Sequence, residues 1–378
     1  MDRAAVAPAA PPAPAAPAAI PSLPAVPPSQ LSLERTRFAS LAGWGADAHW
    51  PAVAAFRRSC PRMVRDGPAP ADLGLAGPAW NWAAICRAAA GVLAGNDREA
   101  RAFFERWFEP GKMTDRGRAD GLLTGYYEPE LRGARAPAAR FAHPLYKRPD
   151  DLPAAQPGQP APRPYFTRDA IDKGALKGRG LELAWLANPI DAFVLHVQGS
   201  GRVVTNDGAS FRVGFAGHNG HDYVAIGREL VKDGALGLDQ VTMPAIRAWL
   251  ERNPDKAQAM MARNPRYVFF RIVPPPPDDG LGPAGPPGAL GVPLTAERSL
   301  AVDRAFLPLG LPVWIDAVDP RPNRPPLRRL TVAQDTGGAI KGPVRGDFFW
   351  GGGDAAEAAA GLMKSPAGFW VLLPRDQP

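Results

Sequence analysis

Three aspartates in the C-terminal part of the chain stand where acid–base chemistry could use them. In Leu330-Thr-Val-Ala-Gln-Asp-Thr-Gly-Gly-Ala-Ile-Lys-Gly342 an apolar strand delivers one carboxylate, Asp335, into a glycine turn at Gly337 and Gly338. A second carboxylate, Asp347, precedes the aromatic run Phe348-Phe349-Trp350. Upstream, Leu300-Ala-Val-Asp303, Leu307-Pro-Leu-Gly310 and Val313-Trp-Ile-Asp316 read as two strands around a turn. They bring in Asp303 and the weaker candidate Asp316. A carboxyl held where backbone can approach a ligand closely is what cleavage of a glycosidic bond requires. To donate a proton near neutral pH its pKa must rise well above the ordinary value of about 3.9. Val332, Ala339 and Ile340 would supply the desolvation that raises it, whereas Lys341 and Arg345 would act in the opposite direction. The structural alternative is an Asx turn, with Asp335 bonding the backbone at Gly337.

Other residues could form a shelf for a sugar. Gln198, Gly199 and Ser200 follow an apolar run and end in small and amide groups able to bond hydroxyls. Tyr126 and Tyr127 offer aromatic faces, although paired tyrosines also arise from core and surface alternation on a strand. Glu128 beside them is the candidate second carboxylate for a hydrolase, and Thr124 a candidate donor. Asn219, Gly220 and Tyr223 stand at the start of a helical run, where a helix cap competes with sugar contact. Phe348, Phe349 and Trp350 are expected to be buried rather than to line a cleft. Gly337-Gly338 and Gly351-Gly352-Gly353 lack the lysine and hydroxyl spacing of a phosphate loop.

These residues need a scaffold, and 378 residues are enough for two domains. The net charge of +7 favours an anionic partner. No basic helix, zinc pattern or ribonucleoprotein motif points to nucleic acid. A carboxylate-rich cell-wall polymer accounts for the charge equally well. Five scattered histidines and two cysteines give no metal-ligand spacing, so no metal is expected. Cys60 and Cys86 could form one disulfide between adjacent helices, as an oxidising compartment would allow, or remain buried thiols.

The first thirty or so residues are almost all Ala and Pro and read as a flexible lead-in. Their prolines interrupt any apolar core of a secretory signal, and no lipobox cysteine occurs. Helical periodicity covers Ala46–Ser59 and Trp80–Leu93, and Asn96 or Asp97 caps a third helix through Trp107. From Leu122 short strands take over. Phe141–Pro164 reads as a loop, Thr167 as the start of a short helix and Asp191–Gln198 as a strand. Tyr223–Lys232 and Met243–Asn253 are helical, and Pro274–Pro287 is a surface loop. After Gly288 short strands and turns suggest a small barrel.

Taken in order, several runs resemble one family. They are Gly121-Leu-Leu-Thr-Gly-Tyr-Tyr-Glu-Pro129, His196-Val-Gln-Gly-Ser-Gly-Arg202, Gly214-Phe-Ala-Gly-His-Asn-Gly220, Asn264-Pro-Arg-Tyr-Val-Phe-Phe-Arg271, Ala-Val-Asp303 with Pro-Leu-Gly310, Asp335-Thr-Gly-Gly-Ala-Ile-Lys-Gly342 and Gly346-Asp-Phe-Phe-Trp-Gly351. The pattern is similar to the membrane-bound lytic transglycosylase A (MltA) family with its C-terminal three-aspartate (3D) domain, from about residue 38 onward. The resemblance implies a mainly β fold with helices. In it, N-terminal helices and C-terminal strands form one domain around a double-psi β-barrel, and a second β-rich domain is inserted, leaving a groove between the two. The boundaries expected are a disordered segment 1–37, helices 38–125, the insertion 126–272 and the barrel 273–378.

The activity implied is non-hydrolytic cleavage of the MurNAc-β-1,4-GlcNAc bond of peptidoglycan, with no cofactor. A single carboxyl, Asp335, would protonate the leaving oxygen and then take the proton of the MurNAc C6 hydroxyl as that hydroxyl closes a 1,6-anhydro ring. The internal nucleophile has a high effective concentration, so no activated water is needed. Asp347 and Asp303 match the family's remaining aspartates and would set the field at Asp335. The partner is the glycan strand rather than nucleic acid, and the protein is expected to be a monomer. The location implied is periplasmic or outer-membrane associated, with an export signal not evident in the chain. An inverting polysaccharide hydrolase and a non-catalytic peptidoglycan-binding protein are the competing readings.

Overall fold

A computed structural model describes residues 30–66, 80–153, 163–276 and 278–375. The chain begins with β1 (Leu31–Arg35) and three helices, α1 (Trp50–Asp66), α2 (Trp82–Ala90) and α3 (Asp97–Trp107). Asn81 and Asn96 cap α2 and α3 by accepting from the backbone N–H of Ala84 and Glu99, the usual way to satisfy a helix's free N-terminal donors. Cys60 and Cys86 are bonded as a disulfide that ties α1 to α2. Strands β2 (Phe108–Asp115) and β3 (Gly121–Glu128) follow.

The middle of the chain holds β4 (Glu130–Ala134), β5 (His143–Tyr146), a short turn α4 (Arg168–Ala170) and β6 (Glu182–Leu186). It continues with α5 (Pro189–Gln198), β7 (Ser200–Thr205), β8 (Ser210–His218), α6 (Ile226–Lys232), α7 (Met243–Arg252), α8 (Pro254–Ala262) and β9 (Val268–Val273). The last part contributes β10 (Ser299–Val302), β11 (Pro312–Ala317), β12 (Leu327–Asp335), β13 (Arg345–Gly352), α9 (Asp354–Leu362) and β14 (Lys364–Pro374).

Two sheets result. The first has eight strands in the order β1-β2-β14-β11-β12-β10-β13-β3, and β14 also pairs with β3. That extra pairing closes β14, β11, β12, β10, β13 and β3 into a ring, which leaves none of them with a free edge. Within the ring β10 runs parallel to β12, and β13 parallel to β3. Helices α1 to α3 share one apolar core with it, in which Phe56, Phe104, Phe108, Trp314 and Phe348 are fully buried. The second sheet has six strands, β5-β6-β4-β7-β8-β9, around Leu145, Leu186, Leu195, Val203 and Phe270. Helices α5 to α8 pack around Ile190, Phe193, Leu230, Leu250 and Met260.

Several expectations need correction. Among the described residues helix and strand each make up 31%, so the fold is mixed rather than mainly β. Leu31–Arg35 fall within the segment expected to be disordered, yet they form a strand because β2 offers a free edge to Leu31 and Leu33. Residues 1–29 lie outside those described. Inside the expected loop Phe141–Pro164, His143–Tyr146 pair with β6; residues 154–162 again lie outside the description. Asp191–Gln198 is a helix, not a strand. Asn188 caps it, Pro189 occupies the first turn, and Ile190, Phe193, Val194 and Val197 recur at helical spacing. Helix α6 starts at Ile226 rather than Tyr223. Among the described residues no helix is long and apolar enough to cross a membrane.

Candidate active site

Strand register brings the candidate residues together. Ala301 on β10 pairs with Asp347 on β13 at one side and Asp335 on β12 at the other. Thr124 on β3 pairs with Asp347 from beyond. Residues directly opposite in a sheet share a face, so Asp335, Ala301, Asp347 and Thr124 project to the same side, as does Tyr126 two positions beyond Thr124. The two aspartates are two strands apart, about 10 Å along the sheet. A β-bulge makes this alignment possible. Leu300 pairs with Ala333 but Ala301 with Asp335, so Gln334 is the extra residue. In regular register Asp335 would pair with Val302 and face the opposite side.

Asp335 sits half-buried at the end of β12. Its Oδ1 accepts the backbone N–H of Ala289 and of Thr336, each at 2.9 Å, and its Oδ2 accepts the Tyr126 hydroxyl at 2.9 Å. The Asx turn at Gly337 does not form; Thr336 and Ala289 supply the backbone donors instead. Burial raises the carboxyl above the ordinary carboxylate range, and these donors oppose the rise without cancelling it. Tyr126 is buried, and burial together with the neighbouring Asp335 pushes its hydroxyl well above the usual value, which keeps it a donor. Asp347 Oδ1 accepts the Thr124 hydroxyl at 2.6 Å, and Thr124 in turn accepts from Arg345 Nη2 at 2.8 Å. Burial pushes Asp347 up to about 6, against the pull of Thr124 and Arg345 and with help from Asp335.

Beside this face lies a cleft of about 270 Å³ between the ring and the helices of the second sheet. Tyr126, Tyr127, Asp347, Gln198, Arg247 and Glu357 are among its walls, and Asp335 adjoins it through Tyr126. Gln198 accepts the Tyr127 backbone N–H through Oε1 at 3.2 Å, so its NH2 end is what it can offer a sugar. Gly199 ends α5 with a positive φ of 81°, a conformation that favours glycine. Gly199, Ser200, Gly337 and Gly338 stand outside the cleft walls.

Three further candidates are held by bonds within the chain. Glu128 is held by Arg212 through both oxygens, at 2.5 and 2.9 Å. Asn219 is buried and spends its amide on Phe166 O, Pro265 O and the Tyr267 N–H. Asp303 accepts the backbone N–H of Ala305 and of Gly342, which pins the loop beyond Asp335. The weaker candidate Asp316 pairs with Arg328. Phe348, Phe349 and Trp350 are buried. Among the described residues no group of three or more His, Cys, Asp and Glu is arranged to hold a metal.

Comparison with known proteins shows the family. The MltA specific insert domain matches residues 122–271 and the 3D domain matches residues 298–373. A Vibrio cholerae protein named membrane-bound lytic murein transglycosylase A is 32% identical over 263 residues, 68% of this chain and 66% of that protein. The chain therefore spans just under two thirds of that relative's length. The crystal structure of a membrane-bound lytic murein transglycosylase from Agrobacterium tumefaciens matches with a TM-score of 0.80 at 34% identity, covering 91% of this chain and 98% of that one. The chain belongs to the MltA family. A further MltA structure, from E. coli with bound chitohexaose, has a TM-score of 0.65 at 26% identity and covers 93% of this chain and 95% of that one.

For this MltA chain the sequence reading overlooked Gln334, Arg247 and Glu357, and weighed Arg345 only as a charge near Asp335. Arg345 stands two positions before Asp347, on the same face of one strand, so period-two alternation could have paired it with the Thr124–Asp347 contact. Gln334 precedes Asp335 but carries no pattern that marks a bulge. Arg247 and Glu357 come from α7 and α9, elements that meet only in the tertiary structure.

Proposed function

We propose that the chain is a peptidoglycan lytic transglycosylase in which Asp335 is the acid and base. The observation that carries the reading is a half-buried carboxyl with a raised pKa, with no ion pair among the described residues, on the same sheet face as Asp347 and beside the cleft. The two oxygens of Asp335 have different tasks. Oδ1 already takes two backbone donors, so it is the carbonyl-like oxygen; Oδ2 has only the Tyr126 hydroxyl and is the one to carry the proton. That proton passes to the glycosidic oxygen as the C1–O bond breaks. The resulting carboxylate accepts the proton of the MurNAc C6 hydroxyl as O6 bonds to C1. No water enters, and Asp335 ends protonated for the next cycle. Asp347, once ionised, places a second negative charge near the oxocarbenium centre.

The closed ring with its two parallel pairings supports a double-psi barrel, and the strands from β4 to β9 support an inserted domain over about 126–272. The chitohexaose in the E. coli relative supports a glycan strand as the ligand of the cleft. The disulfide supports an oxidising compartment such as the periplasm, and the relatives' name, membrane-bound, supports a place at a membrane. Digestion of purified sacculi followed by mass spectrometry tests the chemistry. Products ending in 1,6-anhydroMurNAc are expected, and Asp335→Asn should lower the rate by about 10²–10⁴-fold. Reducing MurNAc ends, one water heavier, would instead mean a hydrolase with Asp347 as base. Binding without soluble products would mean a non-catalytic protein.

A further inference from the structure

We propose that Gln334 is a positioning residue for the reaction, because its side chain holds the bulge that turns Asp335 toward Asp347. This inference rests on Asp335 being the acid and base. Gln334 is fully buried. Its Nε2 donates to Ala55 O at 2.8 Å and to Ser59 Oγ at 2.9 Å, two groups one turn apart on α1, and its Oε1 accepts the Ser299 hydroxyl at 2.5 Å. Ser59 and Ser299 are themselves fully buried, so no water competes. The residue inserted into the ladder is thus the one fixed on both sides, by the helix beneath the ring and by β10 beside it.

Its backbone extends the effect. The Gln334 carbonyl leaves the β10 ladder and accepts the N–H of Leu290 at 3.0 Å. The preceding amide of that segment, Ala289 N–H, is one of the donors to Asp335 Oδ1. Gly288 lets the segment come this close, since a Cβ there would lie 2.6 Å from the Gln334 oxygen. Gln334 therefore sets both where the Asp335 side chain points and where one of its donors stands. Without the side-chain anchor the bulge can slip by one residue, which moves Asp335 to the opposite face.

The test compares Gln334→Leu with Thr331→Val. Thr331 is equally buried in the same strand and donates to Val313 O at 2.7 Å, so its loss removes a buried hydrogen bond away from the bulge. On wild-type enzyme the sacculus digest first establishes anhydro products. Gln334→Leu is then expected to lose about 100-fold in kcat with little change in KM and with a shifted alkaline limb of the pH profile. Thr331→Val should lower the melting temperature without these changes. Gln334→Glu, assayed at about pH 5 where a carboxyl buried against Ala55 O is protonated, should recover part of the rate. A Gln334→Leu enzyme with wild-type kcat and pH profile, or a loss matched by Thr331→Val, overturns the proposal. Were the leucine variant not to fold, Ser299→Ala removes one anchor and is expected to show the same kcat loss in milder form. If the wild type forms no anhydro product, the functional reading fails separately. Titration of the Asp335 carboxyl by 13C NMR in wild type and Gln334→Glu then still reads the geometry, and an unchanged titration counts against Gln334.

Discussion

At Asp335 burial opposes hydrogen bonding, and the balance sets the pH at which the site can work. Each donor to the carboxyl favours the ionised form. Tyr126→Phe removes one donor and keeps the ring, so the Asp335 pKa should rise and the alkaline limb of kcat/KM move to higher pH. A limb that stays in place while KM rises would show that Tyr126 serves the sugar rather than the acid. Asp347 gives a stability test. Its folded pKa of about 6 exceeds the ordinary 3.8, so the folded state holds its proton more tightly than the unfolded one. Stability contributed through this group is present below the ordinary value and is lost as pH rises to about 6. Asp347→Asn cannot ionise but can still accept from Thr124. It should therefore melt higher than wild type at neutral pH, with the advantage shrinking in acid. At this scale the aspartates stood out through the ordered motifs around them, because Asp335 in a glycine turn could by itself be an Asx turn. The fates of Glu128 and Asn219 were not legible. Arg212 and the Phe166 and Pro265 carbonyls come from distant positions, and no local pattern announces them.

The elements near the N-terminus could be read with fair accuracy, since α1 to α3 carry strong periodicity and α2 and α3 have asparagine caps. Helix α5 was misread because a short apolar run fits strand and helix alike; the Asn188-Pro189 start was the deciding signal. The bulge in β12 had none, because the extra residue is defined only against its partner strand. The Cys60–Cys86 bond joins α1 to α2 across 26 positions. By loop-closure entropy such a link stabilises by about 3–4 kcal/mol. Reduction should lower the denaturant midpoint accordingly, with little effect on the m-value-corrected activity of the molecules that remain folded. A midpoint that does not move would show that packing alone holds the two helices.

Across the whole molecule the ring and the second sheet are fastened by the Glu128–Arg212 pair, which joins β3 to β8 beside the cleft. Both side chains are largely removed from water. Arg212→Met should cost about 3–5 kcal/mol, because it leaves Glu128 buried without a partner. The double change Glu128→Leu with Arg212→Met should restore most of that loss, which chemical denaturation can read directly. If the double variant remains as weak as the single one, the pair fixes the packing of the two sheets rather than merely balancing charge. The net charge of +7 acts at this scale too: attraction to an anionic polymer should weaken with added salt, while chemistry at the sheltered aspartates should not.

Strand β14 closes the ring by lying between β3 and β11, with Lys364 opposite Thr124. The strands that it joins lie far apart in the sequence, β3 before the whole second sheet and β11 after it. The wall beside Thr124 and Asp347 is therefore complete only when these distant segments have met, and any weakening of the β3–β14 seam would open the ring at the residues that flank the aspartates.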